Sequence, residues 1–111
     1  MTTARPAGPV LRVAGDLDHS TAPHLRRAAG ALVLTPGGLL LVDLSGMRFC
    51  DSSGITALLA ARHRALAAQA RFALAGIPAN TARSLRTTGL DQVFDVYADT
   101  EDAGKELTRP T

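Results

Sequence analysis

The strongest constraint on the fold is the apolar run LLLVDL at residues 39–44. The helix-breaking cluster TPGG at residues 35–38 precedes it, so the run has the length of a strand. A strand this apolar is buried on both faces, which is typical of the parallel sheets of α/β proteins. The run therefore predicts a strand within such a sheet.

The other elements alternate between helix and strand. Ser20 and Thr21 precede a helical apolar pattern, so we expect their hydroxyls to cap a first helix that ends near Leu34. A second helix, rich in Ala and Leu, begins at residues 51–54 and continues to about Ala70. The predicted order is β, α, β, α, β, α, β, and the remaining elements are strands at 10–17, 71–76 and 93–97, a helix at 77–89 closed by Gly89, and a possible acidic helix at 99–107.

Strands separated by helices predict right-handed crossovers and a mostly parallel sheet with helices packed against it. With 111 residues, of which 46% are hydrophobic, we expect one domain. Its core spans residues 10–97, with an N-terminal arm at 1–9 and an acidic C-terminal helix or tail at 99–111. No apolar run approaches the roughly 20 residues that a membrane span needs.

Charge divides the chain into two unequal parts. Residues 1–88 hold ten basic and four acidic residues, and residues 89–111 hold two basic and six acidic ones. A partner with an acidic patch could be steered by the basic part. The arginines are scattered and only three Phe and one Tyr could stack on bases, so nucleic-acid binding is disfavoured.

Cysteine usage and the N-terminal residues predict a reducing cytoplasm. Cys50 is the one cysteine, so no disulfide can form within the chain, and residues 1–10 lack the apolar stretch of a signal peptide. We interpret Cys50 as a buried small apolar residue, in preference to a redox sensor.

Common catalytic and cofactor motifs are missing from the sequence. The three histidines, which we expect to be exposed, lie on different elements without metal-ligand spacing, so no metal site is predicted: they are His19, His24 and His63. Neither GxGxxG nor GxxxxGK[ST] occurs, so no nucleotide cofactor is expected. A serine hydrolase would need GxSxG and a nearby base, and these are absent too. We therefore expect a protein with no catalytic residues, one that is not an enzyme.

The remaining candidate is the DSSG box of Asp51, Ser52, Ser53 and Gly54, where an apolar strand leads into the second helix. Asp and Ser are preferred N-caps and Gly permits close approach, so the box could simply start a helix. Two adjacent serines exceed what a cap requires. One hydroxyl is expected to face solvent at the positive end of the helix dipole, a favourable place to carry a phosphate.

Several spaced segments together resemble the STAS domain of bacterial anti-sigma-factor antagonists over residues 10–97. They are GDLD at 15–18 with TA at 21–22, LVDLS at 41–45, the DSSG box, and TGL at 88–90. The resemblance implies a four- to five-stranded mixed sheet with helices mainly on one side. It also implies a phosphorylation-controlled binding protein.

In that family the first serine of the box is phosphorylated by the cognate anti-sigma factor, an ATP-dependent serine kinase, which implies Ser52 here. The unphosphorylated antagonist binds the anti-sigma factor and frees the sigma factor, and a PP2C-type phosphatase restores it. The implied binding surface comprises Asp16, Asp18, His19, Ser20, Thr21, Asp51, Ser52, Ser53 and Gly54.

One departure from the family pattern concerns residues 1–9, where a further N-terminal strand is usual. Two prolines and a glycine occupy this segment, so we expect that strand to be short or missing. An open edge could pair with another chain, so the protein is expected to be a monomer or a weak homodimer.

A second interpretation is a non-switching STAS scaffold subunit of a lipid-transport ATPase complex or of a stress-sensing assembly. The fold would be the same in both cases and does not decide between them. The intact DSSG box and the freestanding length favour the antagonist.

Overall fold

The computed structural model describes residues 2–5 and 8–103, which form one mixed sheet with α-helices on one face. The strands are β1 (Thr2–Arg5), β2 (Gly8–Leu17), β3 (Leu39–Cys50), β4 (Arg71–Ala75) and β5 (Asp95–Tyr97). The helices are α1 (Ala22–Gly30), α2 (Ser52–Ala67) and α3 (Ala79–Thr88), followed by a short 3-10 helix at Leu90–Gln92. The strand order is β1-β2-β3-β4-β5, with β1 antiparallel to β2 and the other neighbours parallel. The predicted α/β fold is confirmed.

Strand β3 is buried on both faces, as its apolar sequence predicts. Leu40, Val42 and Leu44 pack with residues of all three helices in the main core. Leu39 and Leu41 face the other way and form a smaller cluster, in which Ala103 is fully buried. The helices therefore cover one face, and the residues after β5 cover part of the other.

The ends of several elements differ from the sequence prediction. Helix α2 ends at Ala67 rather than near Ala70, and β5 begins at Asp95 rather than at Val93. Strand β3 continues beyond residue 44 to Cys50, because its pairing with β2 extends through two register shifts to the pair of Leu17 with Cys50. Helix α1 ends at Gly30 rather than near Leu34, and the Arg64 side chain of α2 binds the Ala29 carbonyl near its end and the Leu32 carbonyl beyond it. Helix α3 does end at Gly89, whose φ of +77° is left-handed.

The N-terminal residues are part of the sheet. Strand β1 pairs antiparallel with β2, and β2 begins at Gly8, so the core does not start at residue 10. The strand expected to be short or missing is present and has four residues. At the other end, residues 100–103 are helical, and residues 104–111 of the predicted acidic helix or tail lie outside the described residues.

Candidate functional site

The two predicted contact segments, residues 16–21 and 51–54, meet at the carboxyl ends of β2 and β3. These strands are parallel neighbours, and the Leu17 carbonyl accepts a hydrogen bond from the Asp51 N–H at 3.2 Å. Adjacent parallel strands bring their carboxyl ends to one edge, which is the usual place for a binding site in α/β sheets. The sequence-separated segments therefore form one surface.

The turn between β2 and α1 is organised by the Asp18 carboxylate. Its Oδ1 accepts hydrogen bonds from the Ser20 hydroxyl at 2.8 Å, the Ser20 N–H at 3.0 Å and the Thr21 N–H at 3.2 Å. The Ser20 hydroxyl bond contributes most to lowering the pKa of Asp18, against a smaller opposing effect of desolvation, and bonds from Thr21 add to the lowering. Asp18 thus shapes the turn from within.

The prediction that the Ser20 and Thr21 hydroxyls cap α1 is wrong. The Thr21 hydroxyl donates to the Asp16 carbonyl at 2.8 Å and accepts from the Asp18 N–H, so it faces back into the turn. Neither it nor Ser20 caps an N–H of the helix. The exposed Asp16 carboxylate lies 3.7 Å from the Arg48 guanidinium, a surface ion pair that contributes little to stability.

Helix α2 begins at the DSSG box as predicted, with Asp51 as its N-cap. The Asp51 carboxylate accepts a hydrogen bond from the Gly54 N–H at 3.1 Å. Gly54 is buried, and a Cβ added there would lie 2.5 Å from the Leu17 carbonyl oxygen and 2.7 Å from the Cys50 Sγ. Glycine is required because α2 begins in contact with the end of β2.

The two serines of the box differ in environment. Ser52 is exposed, Ser53 is half-buried, and neither hydroxyl forms a hydrogen bond with another described residue. Ser52 borders an open groove between α2 and α3, the α2/α3 groove, lined by Cys50, Asp51, Ser52, Ile55, Thr56, Ser84, Thr88 and Leu90. Ser53 borders a second groove between α1 and α2, the α1/α2 groove, lined by His19, Ala22, Pro23, Arg26, Ser53 and Thr56.

Sequence reasoning missed several residues of these grooves. Ser84 and Thr88 are one helical turn apart on α3, and their spacing places both on one helix face. Thr56 lines both grooves, and its hydroxyl donates to the Ser52 carbonyl at 2.8 Å. Arg26 was visible only as one of many scattered arginines. Groove formation depends on how the helices pack, which no short motif encodes.

Cys50 lies half-buried at the end of β3, packed against the main core. Burial, with a further contribution from the negative charge of Asp51, raises the pKa of the Cys50 thiol to about 11. The group is therefore a protonated thiol at neutral pH, which lowers its reactivity. His19, His24 and His63 are exposed, as expected, and the described residues contain no cluster of three potential metal ligands.

The fold and this surface define a class: a small α/β domain whose most distinctive surface feature is a pair of serines at a helix start. A family model described as "Mlab, STAS domain" matches residues 1–97. The chain belongs to the STAS-domain family. Among the residues that the structure describes, no helix is long and apolar enough to cross a membrane.

Similar proteins include antagonists and a transporter-family protein. The anti-sigma-F factor antagonist RsfB of Mycobacterium tuberculosis (strain ATCC 25618 / H37Rv) is 31% identical over 94 residues, which are 85% of this chain and 76% of that protein. The crystal structure of an anti-sigma factor antagonist from Mycobacterium paratuberculosis is 30% identical, covers 98% of this chain and 92% of its own, and has a TM-score of 0.84. A sulfate transporter family protein from Wolinella succinogenes shares the fold at 15% identity and a TM-score of 0.77, covering 88% of this chain and 82% of its own.

Proposed function

We propose that this protein is an anti-sigma-factor antagonist switched at Ser52. In the unphosphorylated form it binds a cognate anti-sigma factor that is an ATP-dependent serine kinase, and the sigma factor is released. Phosphorylation of Ser52 ends binding, and a PP2C-type phosphatase reverses it. The protein acts as a binding partner rather than as a catalyst, in keeping with the names of its relatives.

The observation that carries this proposal is the state of the Ser52 hydroxyl. It is exposed, has no hydrogen-bond partner among the described residues, and lies on the first residue of α2, beside the turn that precedes α1. An acceptor serine must reach the γ-phosphate of a kinase-bound nucleotide without unfolding of its own domain. Ser52 meets that requirement, whereas Ser53 is half-buried.

The surroundings of Ser52 explain how a phosphate could end binding. The residues that line the α2/α3 groove include the carboxylate of Asp51 and no Arg, Lys or His. A phosphate adds about −1.5 to −2 charges at neutral pH. Helix N–H groups could accept this charge in the free protein. Burying it against a partner, without a cation nearby, would cost desolvation and repulsion energy.

The direct experiment is to purify the anti-sigma factors of the source organism and test each for binding to this chain. The one that binds is then incubated with the chain and ATP, and the intact mass is measured. We expect a single added phosphate, which is lost in Ser52→Ala and kept in Ser53→Ala. Phosphate on Ser53 alone would show that the wrong hydroxyl was assigned, and the absence of any binding anti-sigma factor would refute the proposed function.

A second candidate is a non-switching STAS scaffold subunit of a lipid-transport or stress-sensing complex. It is favoured by the Mlab description of the matching family model, and the fold is compatible because a transporter-family protein shares it. Affinity purification from the source organism separates the two. Co-purification with an ATPase and a permease supports the scaffold, and co-purification with a histidine-kinase-like ATP-binding protein supports the antagonist.

A further inference from the structure

The α1/α2 groove has an electrostatic character that the proposed switch does not use. Arg26 and His19 border it, Ser53 and Thr56 contribute hydroxyls, and none of its lining residues is acidic. The side chains of Arg26 and His19 form no ion pair or hydrogen bond with other described residues. The groove thus presents an arginine cation and a neighbouring imidazole that have no internal partner.

The acidic residue next to His19 in the sequence is not part of the groove lining. Asp18 lies in the adjoining turn, where its carboxylate accepts hydrogen bonds from the Ser20 hydroxyl and from the N–H groups of Ser20 and Thr21. The Ser53 hydroxyl also lacks a partner among the described residues, so it is free to donate. Every unused polar group here except the Thr56 oxygen is able to donate, so the groove favours an anion.

The start of α1 does not itself supply this preference. The Ala22 N–H donates to the Asp18 carbonyl, the His24 N–H donates to the Thr21 carbonyl, and Pro23 has no N–H. Phosphate sites at helix N-termini use several free N–H groups, and α1 offers few. Recognition would instead depend on side chains, above all on the guanidinium of Arg26, which pairs well with carboxylates.

We propose that the α1/α2 groove binds an acidic segment, one with Asp or Glu side chains, of the same anti-sigma factor that phosphorylates Ser52. This inference rests on the proposed function. The groove adjoins the start of α2, so a partner that covers Ser52 with a footprint of about 800 Å² also covers the groove. Docking an acidic segment on Arg26 fixes the partner on one side of α2, while Ser52 on the other side meets the nucleotide.

A matched pair of variants on α1 tests the role of the groove. Arg26→Gln removes the groove cation, and Arg27→Gln removes the same charge from the next residue, which is exposed and does not line the groove. We expect Arg26→Gln to weaken binding of the anti-sigma factor about ten-fold and Arg27→Gln less than two-fold, by calorimetry at 50 mM salt. The ten-fold difference should shrink at 500 mM salt because salt screens exposed charges.

If Arg26→Gln and Arg27→Gln lose the same amount of affinity while the wild-type protein is still phosphorylated at Ser52, the groove proposal is overturned and the switch is unaffected. If the wild-type protein is not phosphorylated and binds no anti-sigma factor, both the groove proposal and the proposed function are overturned. The two failures are therefore distinguishable.

A second measurement needs no anti-sigma factor. Isotope-labelled protein is titrated with a hexaglutamate peptide, with hexaglutamine and inorganic phosphate as comparison ligands, and amide chemical shifts are recorded. We expect hexaglutamate alone to shift amides of residues 19–26 and 53–56, and Arg26→Gln but not Arg27→Gln to abolish the shifts. A response to phosphate without one to hexaglutamate, or a response to none of the three, would overturn the assignment of an acidic segment.

Discussion

The two grooves beside the start of α2 differ in charge and in the side-chain hydrogen bonds that brace the helices on either side of them. The α1/α2 groove is bordered by Arg26 and His19. Arg64 of α2 donates hydrogen bonds to the Ala29 carbonyl of α1 at 2.9 Å and to the Leu32 carbonyl in the segment after α1 at 2.8 Å. The α2/α3 groove has no basic lining residue, and no side-chain hydrogen bond joins α2 to α3 within the described part of the chain.

This difference suits the two grooves to different roles in binding a partner. A braced, basic groove suits a constant attachment site, because its geometry and charge do not change with modification. A groove without basic residues suits a switch, because no lining cation offsets the negative charge that a phosphate adds. Phosphorylation of Ser52, which borders the α2/α3 groove, should thus have a different consequence from phosphorylation of Ser53, which borders the α1/α2 groove.

The largest expected effect comes from Gly54→Ala, which should break both grooves together. The new methyl group would lie 2.5 Å from the Leu17 carbonyl oxygen, so α2 must move away from β2. We expect a loss of about 3 kcal/mol in the free energy of unfolding, measured by urea denaturation. Gly30→Ala, at the end of α1, is the control: an added Cβ there has no atom within 4 Å outside the adjacent residues and the backbone of its own helix, so the variant should gain about 0.5 kcal/mol. A loss of less than about 1 kcal/mol in Gly54→Ala would contradict the close approach of α2 to β2.

Aspartate substitutions of the two serines should separate the grooves. Ser52→Asp places a carboxylate beside the α2/α3 groove, which has no basic lining residue, and should weaken binding of the anti-sigma factor about thirty-fold, equivalent to about 2 kcal/mol. Ser53→Asp places it near Arg26, and we expect only about a three-fold loss, through competition for that cation. Both variants add the same charge to the first turn of α2, so their effects on helix stability should match. Calorimetry that gives equal losses would remove the distinction between the grooves.

The bracing of the α1/α2 groove can be tested with Arg64→Ala. Its guanidinium binds the Ala29 carbonyl of α1 and the Leu32 carbonyl just after the helix, and loss of these two hydrogen bonds should lower the free energy of unfolding by about 1 kcal/mol. Arg83→Ala on α3 removes an exposed arginine whose side chain forms no hydrogen bond or ion pair with other described residues, and it should change stability by less than about 0.5 kcal/mol. Urea denaturation of the two variants measures the difference, and similar losses would show that the bonds from Arg64 are not stabilising.

The sequence predicted the elements that depend on local pattern. The run at residues 39–44, the DSSG box and Gly89 each have a pattern whose physical meaning is nearly independent of the rest of the chain. The box predicted the start of α2 correctly, whereas its composition left open which side chain caps the helix; the structure shows that it is Asp51.

What the sequence did not predict depends on contacts between distant residues. Strand β3 extends to Cys50 only because β2 remains paired with it, and the mixed sequence SGMR at residues 45–48 gave no sign of this. No motif in the sequence distinguishes Arg64 from the other arginines, yet it is the residue of α2 that binds the carbonyls of Ala29 and Leu32. The charge difference between the grooves arises in the same way, since Arg26 and Ser53 meet only when α1 packs against α2.

The smallest expected effect concerns the turn that supports the α1/α2 groove. Hydrogen bonds, first of all from the Ser20 hydroxyl, lower the pKa of Asp18 in the folded protein below its usual 3.8. The folded state therefore holds the Asp18 proton less tightly than the unfolded state. Its contribution to stability is complete above the unfolded pKa and is lost as the pH falls through the folded pKa.

Asp18→Asn should therefore flatten the acid side of the stability profile. The asparagine oxygen can still accept hydrogen bonds but does not titrate between pH 5 and pH 2. We expect the melting temperature of the variant to fall slightly less than that of the wild type over this range, while Ser20→Ala, which removes the largest cause of the lowered pKa, should show an intermediate slope. Parallel profiles for all three proteins would mean that the turn on the α1 side of the site does not depend on the ionised Asp18, and the bracing of the basic groove would then rest on Arg64 alone.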